Sequence, residues 1–449
     1  MFSPGPIQRS EDVGNQLPSF LGAALAGIIR RLPTQIQGLL EHRLVKRGAS
    51  MLTWRISAML FTSVGTIWTA RCLGPANLGI SGFIQTGLAQ AVLLIWILPE
   101  SFLIRAYKLA ATDLERRELL ALATTMRVVL ASGIALIALV VGLLIDLPEN
   151  WRLSYFCGLP VLFVTALNIA WLMQAKEDQP AQYRAQFYMA IVTTCLSLLM
   201  IRPGAVAGAD MVVAAISGIA SCAIMWRCAG EAQFWKYLRP FNIAAAWSIF
   251  RDGRIVYITG IVIYLYTQFE LPLVGYLHSV EELGLYRSAQ GLKMTVWTFL
   301  SMIPMLLYPR FLEWQKISPD LLYRNQWKLF RYMSVGAVAL TAAAFLLSPA
   351  VYPMIFGSEF ARASIPFAML VGSICIILLN NLFSYGLWSQ GEDRAMLGIS
   401  IVAAVTSLCL NFLVIPRFGM TGAAAVNIVA EGLILVLTIR ATVINHRRR

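Results

Sequence analysis

Apolar runs of about twenty residues follow one another along almost the whole chain. Twelve can be read, at about 49–71, 78–98, 121–145, 153–173, 187–207, 210–228, 254–277, 287–309, 330–353, 364–388, 395–415 and 421–440. A helix needs about 20 such residues to cross the hydrocarbon of a bilayer. Composition agrees: 58% of the 449 residues are hydrophobic and 13% charged, and mean hydropathy is +0.69. Membrane barrels alternate apolar and polar residues over segments of about ten, and these solid runs do not. The expected fold is an all-α polytopic membrane protein of about twelve transmembrane helices.

Lys and Arg set the orientation of such a bundle. With the N-terminus inside, the inward segments hold 27 of the 36 basic residues. The six outward loops hold one each: Arg71, Arg152, Arg202, Arg287, Arg362 and Arg417. The sequence thus predicts a multi-pass membrane protein with both termini cytoplasmic. The net charge of +13 follows from that orientation and calls for no nucleic acid.

Several chemistries find no residues. No Gly-Lys dipeptide occurs, which excludes a P-loop. His42, His278 and His446 lie outside the runs, and the seven cysteines are scattered with no Cys-x-x-Cys pair. They read as small packing residues, and no cofactor or metal is expected. "FLGAALAGII" carries Arg30 and Arg31 behind it, the reverse of a cleavable signal. No outward loop exceeds about ten residues, too little for an external catalytic loop. The chain is expected to carry a substrate and not to be an enzyme.

An internal repeat supports carriage. "NLGISGFIQTGL" (77–88) joins the first two runs and "ELGLYRSAQGL" (282–292) the seventh and eighth. Leu78-Gly79 and Leu283-Gly284 align at an offset of 205 residues, Gly87-Leu88 and Gly291-Leu292 at 204. Duplicated halves around a central cavity are a transporter architecture. The expected organisation is a cytoplasmic tail (1–48), a six-helix lobe (49–228), an interfacial linker (229–253), a second six-helix lobe (254–440) and a basic tail (441–449). In the linker, Trp235, Phe241, Trp247 and Phe250 among Lys and Arg suggest a helix lying on the inner leaflet.

Four segments together resemble one family. "ARCLGPANLG" (70–79) is similar to the Leu-Gly-Pro turn after the first span of oligosaccharide flippases, the polysaccharide-transporter branch of the multidrug/oligosaccharidyl-lipid/polysaccharide exporter superfamily. "FELPLVGYLHSVEELGLYRSAQGL" (269–292), "MIFGSEFARASIPFAML" (354–370) and "PRFGMTGAAAVNIVAEGL" (416–433) resemble its seventh-span, tenth-span and twelfth-span patterns. The seventh-span acid is commonly Asp in that family and is Glu270 here. The resemblance implies export of an undecaprenyl-pyrophosphate-linked oligosaccharide by two rocking lobes, for O-antigen, capsule or exopolysaccharide. The partners implied are that lipid-linked oligosaccharide, membrane lipids, and polysaccharide polymerase and export machinery.

Ionisable residues inside spans are costly and default to functional candidates. Arg55 and Arg127 lie near the cytoplasmic ends of spans one and three, where they either snorkel or meet a pyrophosphate. Lys293 offers a cation to the lumen of span eight or snorkels outward. Glu270 and Glu431 are ion-coupling candidates or buried partners of cations, with Asn427 one turn before Glu431. Glu270 would pair with Lys293 or take up protons from the lumen. Gln85, Gln90, Asn168, Asn380, Asn381 and Asn411 are polar candidates for the slot, or amides bonded between helices. Pro272 and Pro304 are expected to kink spans seven and eight. A multidrug-type cation exporter, or a membrane glycosyltransferase or polymerase, are the alternatives. Three cationic intramembrane residues against two acidic ones weigh against the exporter.

Overall fold

A computed structural model describes residues 43–96, 100–231, 233–240 and 268–448, with 247, 250–251, 257–258 and 261. Among these the chain is helical, without a strand. The helices are α1 (Arg43–Ile95), α2 (Glu100–Leu109), α3 (Asp113–Leu144), α4 (Glu149–Gly158), α5 (Pro160–Ala166), α6 (Ala170–Ala175), α7 (Gln179–Met200) and α8 (Ala209–Cys228). They continue with α9 (Glu270–Leu277), α10 (Val280–Leu300), α11 (Met302–Ile317), α12 (Pro319–Phe356), α13 (Ser364–Ser389) and α14 (Asp393–Arg448). Most of the tail at 1–48, much of the linker and the first part of the expected run 254–277 lie outside the described residues, Phe241 among them.

Among the described residues, seven helical segments are long and apolar enough to cross a membrane. Two of them, Thr53–Ile95 with 43 residues and Arg394–Arg447 with 54, are too long for one crossing. Each is interrupted at a glycine, Gly74 (φ 70, ψ 170) and Gly419 (φ 52, ψ −134). Positive φ is open to glycine at little cost. Pro75 then restarts the helix, at the first-turn position where its missing N–H matters least.

The two prolines each follow a break in the helix. The chain turns at Phe269, three residues before Pro272, and Pro272 stands in the first turn of α9. The run 287–309 is broken at Ser301, three residues before Pro304, between α10 and α11. The run 153–173 is broken twice, before Pro160 and at residues 167–169.

Burial ranks the helices. In α13, 72% of the most apolar window is buried, against 17% in α3 and 11% in α12. Helix α13 is therefore packed inside the bundle, while α3 and α12 present leucines such as Leu144 and Leu346 outward, as a lipid-facing helix must. One buried cluster joins Leu73 and Leu78 of α1, Leu283 and Tyr286 of α10, Tyr352 and Phe356 of α12, and Ala423 and Ala424 of α14. At that end Glu282 ties three chain turns together. Its Oε2 accepts from the backbone N–H of Met420 (3.1 Å), and its Oε1 accepts from Arg362 (3.1 Å). A Cβ on Gly419 would stand 2.1 Å from the same carboxylate, a second reason for glycine there.

Candidate functional site

Helix α10 runs beside α1 and stitches to it with polar contacts. Arg55 donates to Ser301 Oγ (3.1 Å), and Ser63 shares a hydrogen bond with Thr295 (3.0 Å). Beside this seam lies a cavity of about 870 Å³ bounded by α1, α7, α8 and α10. Hydroxyls and amides dominate its polar wall: Thr62, Thr66, Gln186, Thr193, Gln268, Gln290 and Thr298. Among the described residues no aromatic side chain lines it, and its charged members are Arg55, Arg287 and Asp210.

Arg287 was expected in an outward loop; it lies inside α10 and reaches into this cavity. The helix starts before the apolar run because Ser279 caps it, accepting from the N–H of Glu282 (3.1 Å). Ser279 and Glu282 have the Ser-x-x-Glu spacing of a capping box, a signal that hydropathy overlooks. Arg287 donates to the carbonyl of Leu78 (3.2 Å) and to Gln85 Oε1, and stands 3.7 Å from Asp210. Gly82 makes room for it, since a Cβ there would sit 2.9 Å from Arg287 Cδ. The guanidinium thus spans from α10 to α1 and α8.

Glu270 is 5% exposed. Its carboxylate accepts from the side-chain amides of Gln290 and Asn427, and from the Tyr286 hydroxyl. Asn427 accepts in turn from Lys293 Nζ (3.3 Å). One amide therefore stands between carboxylate and ammonium. Lys293 also feels the charges of Glu270 and Glu431. Gln290 both lines the cavity and bonds Glu270, so the buried network touches the cavity through one side chain. Tyr286, Gln290 and Asn427 complete the network, and of these three the sequence had named only Asn427, as a neighbour of Glu431. Tyr286 and Gln290, four residues apart, share a helix face with Lys293, and that spacing was the available signal.

The other expected residues lie elsewhere. Arg127 is 2% exposed and does not reach a surface, which corrects the snorkelling expectation. It donates to the backbone carbonyl of Asn168 (3.0 Å) and lies 5.9 Å from the ring centre of Trp96. That carbonyl is freed where the helix breaks between α5 and α6; Trp226 donates to the neighbouring carbonyl of Leu167 (2.9 Å). Backbone polar groups at membrane depth need such partners. Asn168 Oδ1 accepts from the N–H of Ala170 (2.9 Å), restarting the helix. Asn380 bridges α13 to α14, accepting from Ser384 (3.1 Å) and Thr438 (2.9 Å). Asn411 bonds Ser407, and Gln90 and Asn381 are half-buried outside the cavity wall.

Known proteins share this fold. The lipid II flippase MurJ in its inward closed conformation superposes with a TM-score of 0.71 at 10% identity, covering 88% of this chain and 86% of that one. An inward-facing multidrug resistance MATE family transporter of the MOP superfamily gives 0.61 at 12% identity, covering 89% and 99%. At such identities the likeness concerns the fold: a polytopic helical membrane protein. A curated relative, the probable low-salt glycan biosynthesis flippase Agl15 of Haloferax volcanii, is 21% identical over 197 residues. That match spans 42% of this chain and 40% of the relative's length. The stretch that holds α1, the cavity helices and the Glu270 network up to Lys293 falls within residues 44–315, which match the family described as polysaccharide biosynthesis protein, and the chain belongs to that family.

Proposed function

We propose that this protein is a flippase carrying an undecaprenyl-pyrophosphate-linked oligosaccharide from the cytoplasmic to the periplasmic leaflet of a bacterial inner membrane. The cavity wall carries the reading. Its threonine hydroxyls and glutamine amides offer donors and acceptors that replace water around sugar hydroxyls. Arg55 and Arg287 are its cations, and guanidinium forks suit phosphate oxygens. The carboxylate among its described lining residues, Asp210, is already matched by Arg287. A cation exporter calls for the reverse, acidic and aromatic walls, and among the described residues none that lines the cavity is aromatic.

In this reading residues 49–228 and 254–440 are lobes that rock about the α1–α10 seam, with 229–253 as a cytoplasmic strap between them. The tails at 1–48 and 441–449 stay on the cytoplasmic side. The lipid tail remains in the bilayer, no bond is made or broken, and the product passes to polymerase and export machinery. Glu270, with Glu431 behind Lys293, is the candidate for coupling to an ion gradient, because Gln290 links its carboxylate to the cavity. Arg127, Asn168, Asn380 and Gln90 act on the substrate indirectly, by holding the helices that frame its path.

The test is reconstitution. Proteoliposomes are loaded with undecaprenyl-diphosphate bearing a tagged sugar, and the tag is probed with a membrane-impermeant reagent. Transfer faster than in protein-free liposomes is expected. Transfer at the protein-free rate, with efflux of a quaternary-ammonium dye instead, would favour the multidrug reading.

A further inference from the structure

A second cavity, of about 240 Å³, lies between α10, α12 and α13. Its wall is hydrocarbon: Leu292 and Val296 of α10, Leu340 and Leu347 of α12, Phe367 and Val371 of α13. Helix α10 serves both cavities from adjoining faces, giving Ser288, Gly291 and Thr295 to the polar one and Leu292 and Val296 to this one. The partition is thin. Tyr352 lines the apolar pocket, and its hydroxyl shares a 2.5 Å hydrogen bond with Ser288, which lines the polar cavity. Leu347 is 59% exposed and Val351 42%, so the pocket opens toward the lipid side of α12. Both cavities reach the end of the bundle where Gly79, Gly284 and Glu282 lie, since Leu78, Arg287 and Ile355 line them there.

We infer that this pocket receives the head-proximal isoprene units of the polyprenyl tail while pyrophosphate and sugar occupy the polar cavity. The inference rests on the flippase reading above. In a bilayer the pocket gains nothing over hydrocarbon by being apolar, because lipid chains are as apolar as leucine. Selection therefore has to come from position and shape. A tail whose head is held in the adjoining cavity reaches the pocket as an intramolecular ligand, at an effective concentration that free lipid chains lack. Shape agrees: an apolar cavity of about 150 Å³ holds benzene, and 240 Å³ gives room for methyl-branched chain.

The experiment uses the full chain in proteoliposomes with two photoprobes. One is a polyprenyl diphosphate bearing a diazirine on an isoprene unit near the head; the other is a phospholipid with a diazirine in its acyl chain. Expected is labelling of α10 and α12 peptides at Leu292, Val296 or Leu347 by the polyprenyl probe, competed by unlabelled polyprenyl diphosphate. Ala344→Phe, which fills the pocket, should reduce that labelling to the phospholipid level. Ser348→Val, close in volume, keeps the fold and should leave it at least as strong. Polyprenyl labelling confined to the polar-cavity peptides overturns this inference and leaves the flippase reading standing. Equal, uncompeted labelling by both probes makes the pocket a crevice for bulk lipid and also overturns it. Labelling at neither cavity overturns the inference together with the reading it rests on.

Discussion

Gly79 and Gly284 meet backbone to backbone. A Cβ on Gly79 would stand 1.8 Å from the carbonyl oxygen of Val280, and one on Gly284 would stand 1.9 Å from that of Pro75 and 2.8 Å from the nitrogen of Gly79. The two occupy matching positions of the repeated segment, 205 residues apart, and that segment is helical in both copies. Crossings of this kind are how membrane helices approach closely, since small residues let dispersion and backbone contacts accumulate. Here the crossing pins α1 to α10 at the end of the cavity lined by Leu78 and Arg287.

Gly79→Ala should therefore prop that end open. The inserted carbon has only backbone to displace, a misfit costing about 1–3 kcal/mol or more. Substrate flipping should fall, and a cysteine placed at Ser288 in a cysteine-free background should react faster with an impermeant thiol reagent. Gly87→Ala is the control: it belongs to the same repeat, and nothing lies within 4 Å of the added carbon. Equal reactivity in the two variants would remove the crossing from any gating role.

Arg287 and Asp210 make a different kind of link, charge across 3.7 Å between α10 and α8. With side-chain exposures of 23% and 9%, the pair sits between the surface and buried limits. A coupling on the order of 1–2 kcal/mol is expected, above surface pairs but below fully buried ones. Arg287→Ala should cut flipping strongly, because it removes both the cross-helix link and a cavity cation. Asp210→Asn should cut it less. A double-mutant cycle on flipping rate and thermal stability separates the two contributions. Additive losses would mean that the residues act independently.

Lys293 and Glu270 are coupled through Asn427, and this coupling gives a test of sign. Lys293→Met leaves a carboxylate that is 5% exposed with neutral donors only, a loss of about 3–5 kcal/mol by analogy with broken buried pairs. Glu270→Gln in the Lys293→Met background removes that charge and should restore much of the stability. Detergent melting curves of the single and double variants check it. If the double variant melts no higher than Lys293→Met, the amides alone carry the carboxylate.

The sequence exposes what a bilayer prices directly. Run length and the rarity of charge made the spans, Glu270, Lys293, Arg127 and Glu431 readable, because hydrocarbon thickness and ion desolvation act on each residue separately. Contacts between remote residues are not priced that way. The repeat marked Gly79 and Gly284 as equivalent, but nothing local says that they touch. Arg287 was missed because "SVEELGLYR" is too polar to count as span, although its capping box already starts the helix at Val280. Asn427 was visible as a neighbour of Glu431, yet its place between Glu270 and Lys293 depends on how α10 packs on α14.

Arg127 shows the same limit from the other side. Its type and depth suggested a phosphate contact, but it is spent on the carbonyl of Asn168 at the break between α5 and α6. Losing it would leave that carbonyl and the face of Trp96 without their cation, at a cost of about 1–3 kcal/mol for a buried group left unsatisfied. Arg127→Ala is expected to lower the melting temperature and the amount of folded protein, while flipping per folded molecule stays within about twofold of the parent. Arg127→Lys keeps a donor but not the planar fork, and should fall between the two. Normal stability with flipping abolished in Arg127→Ala would return this arginine to the substrate's path.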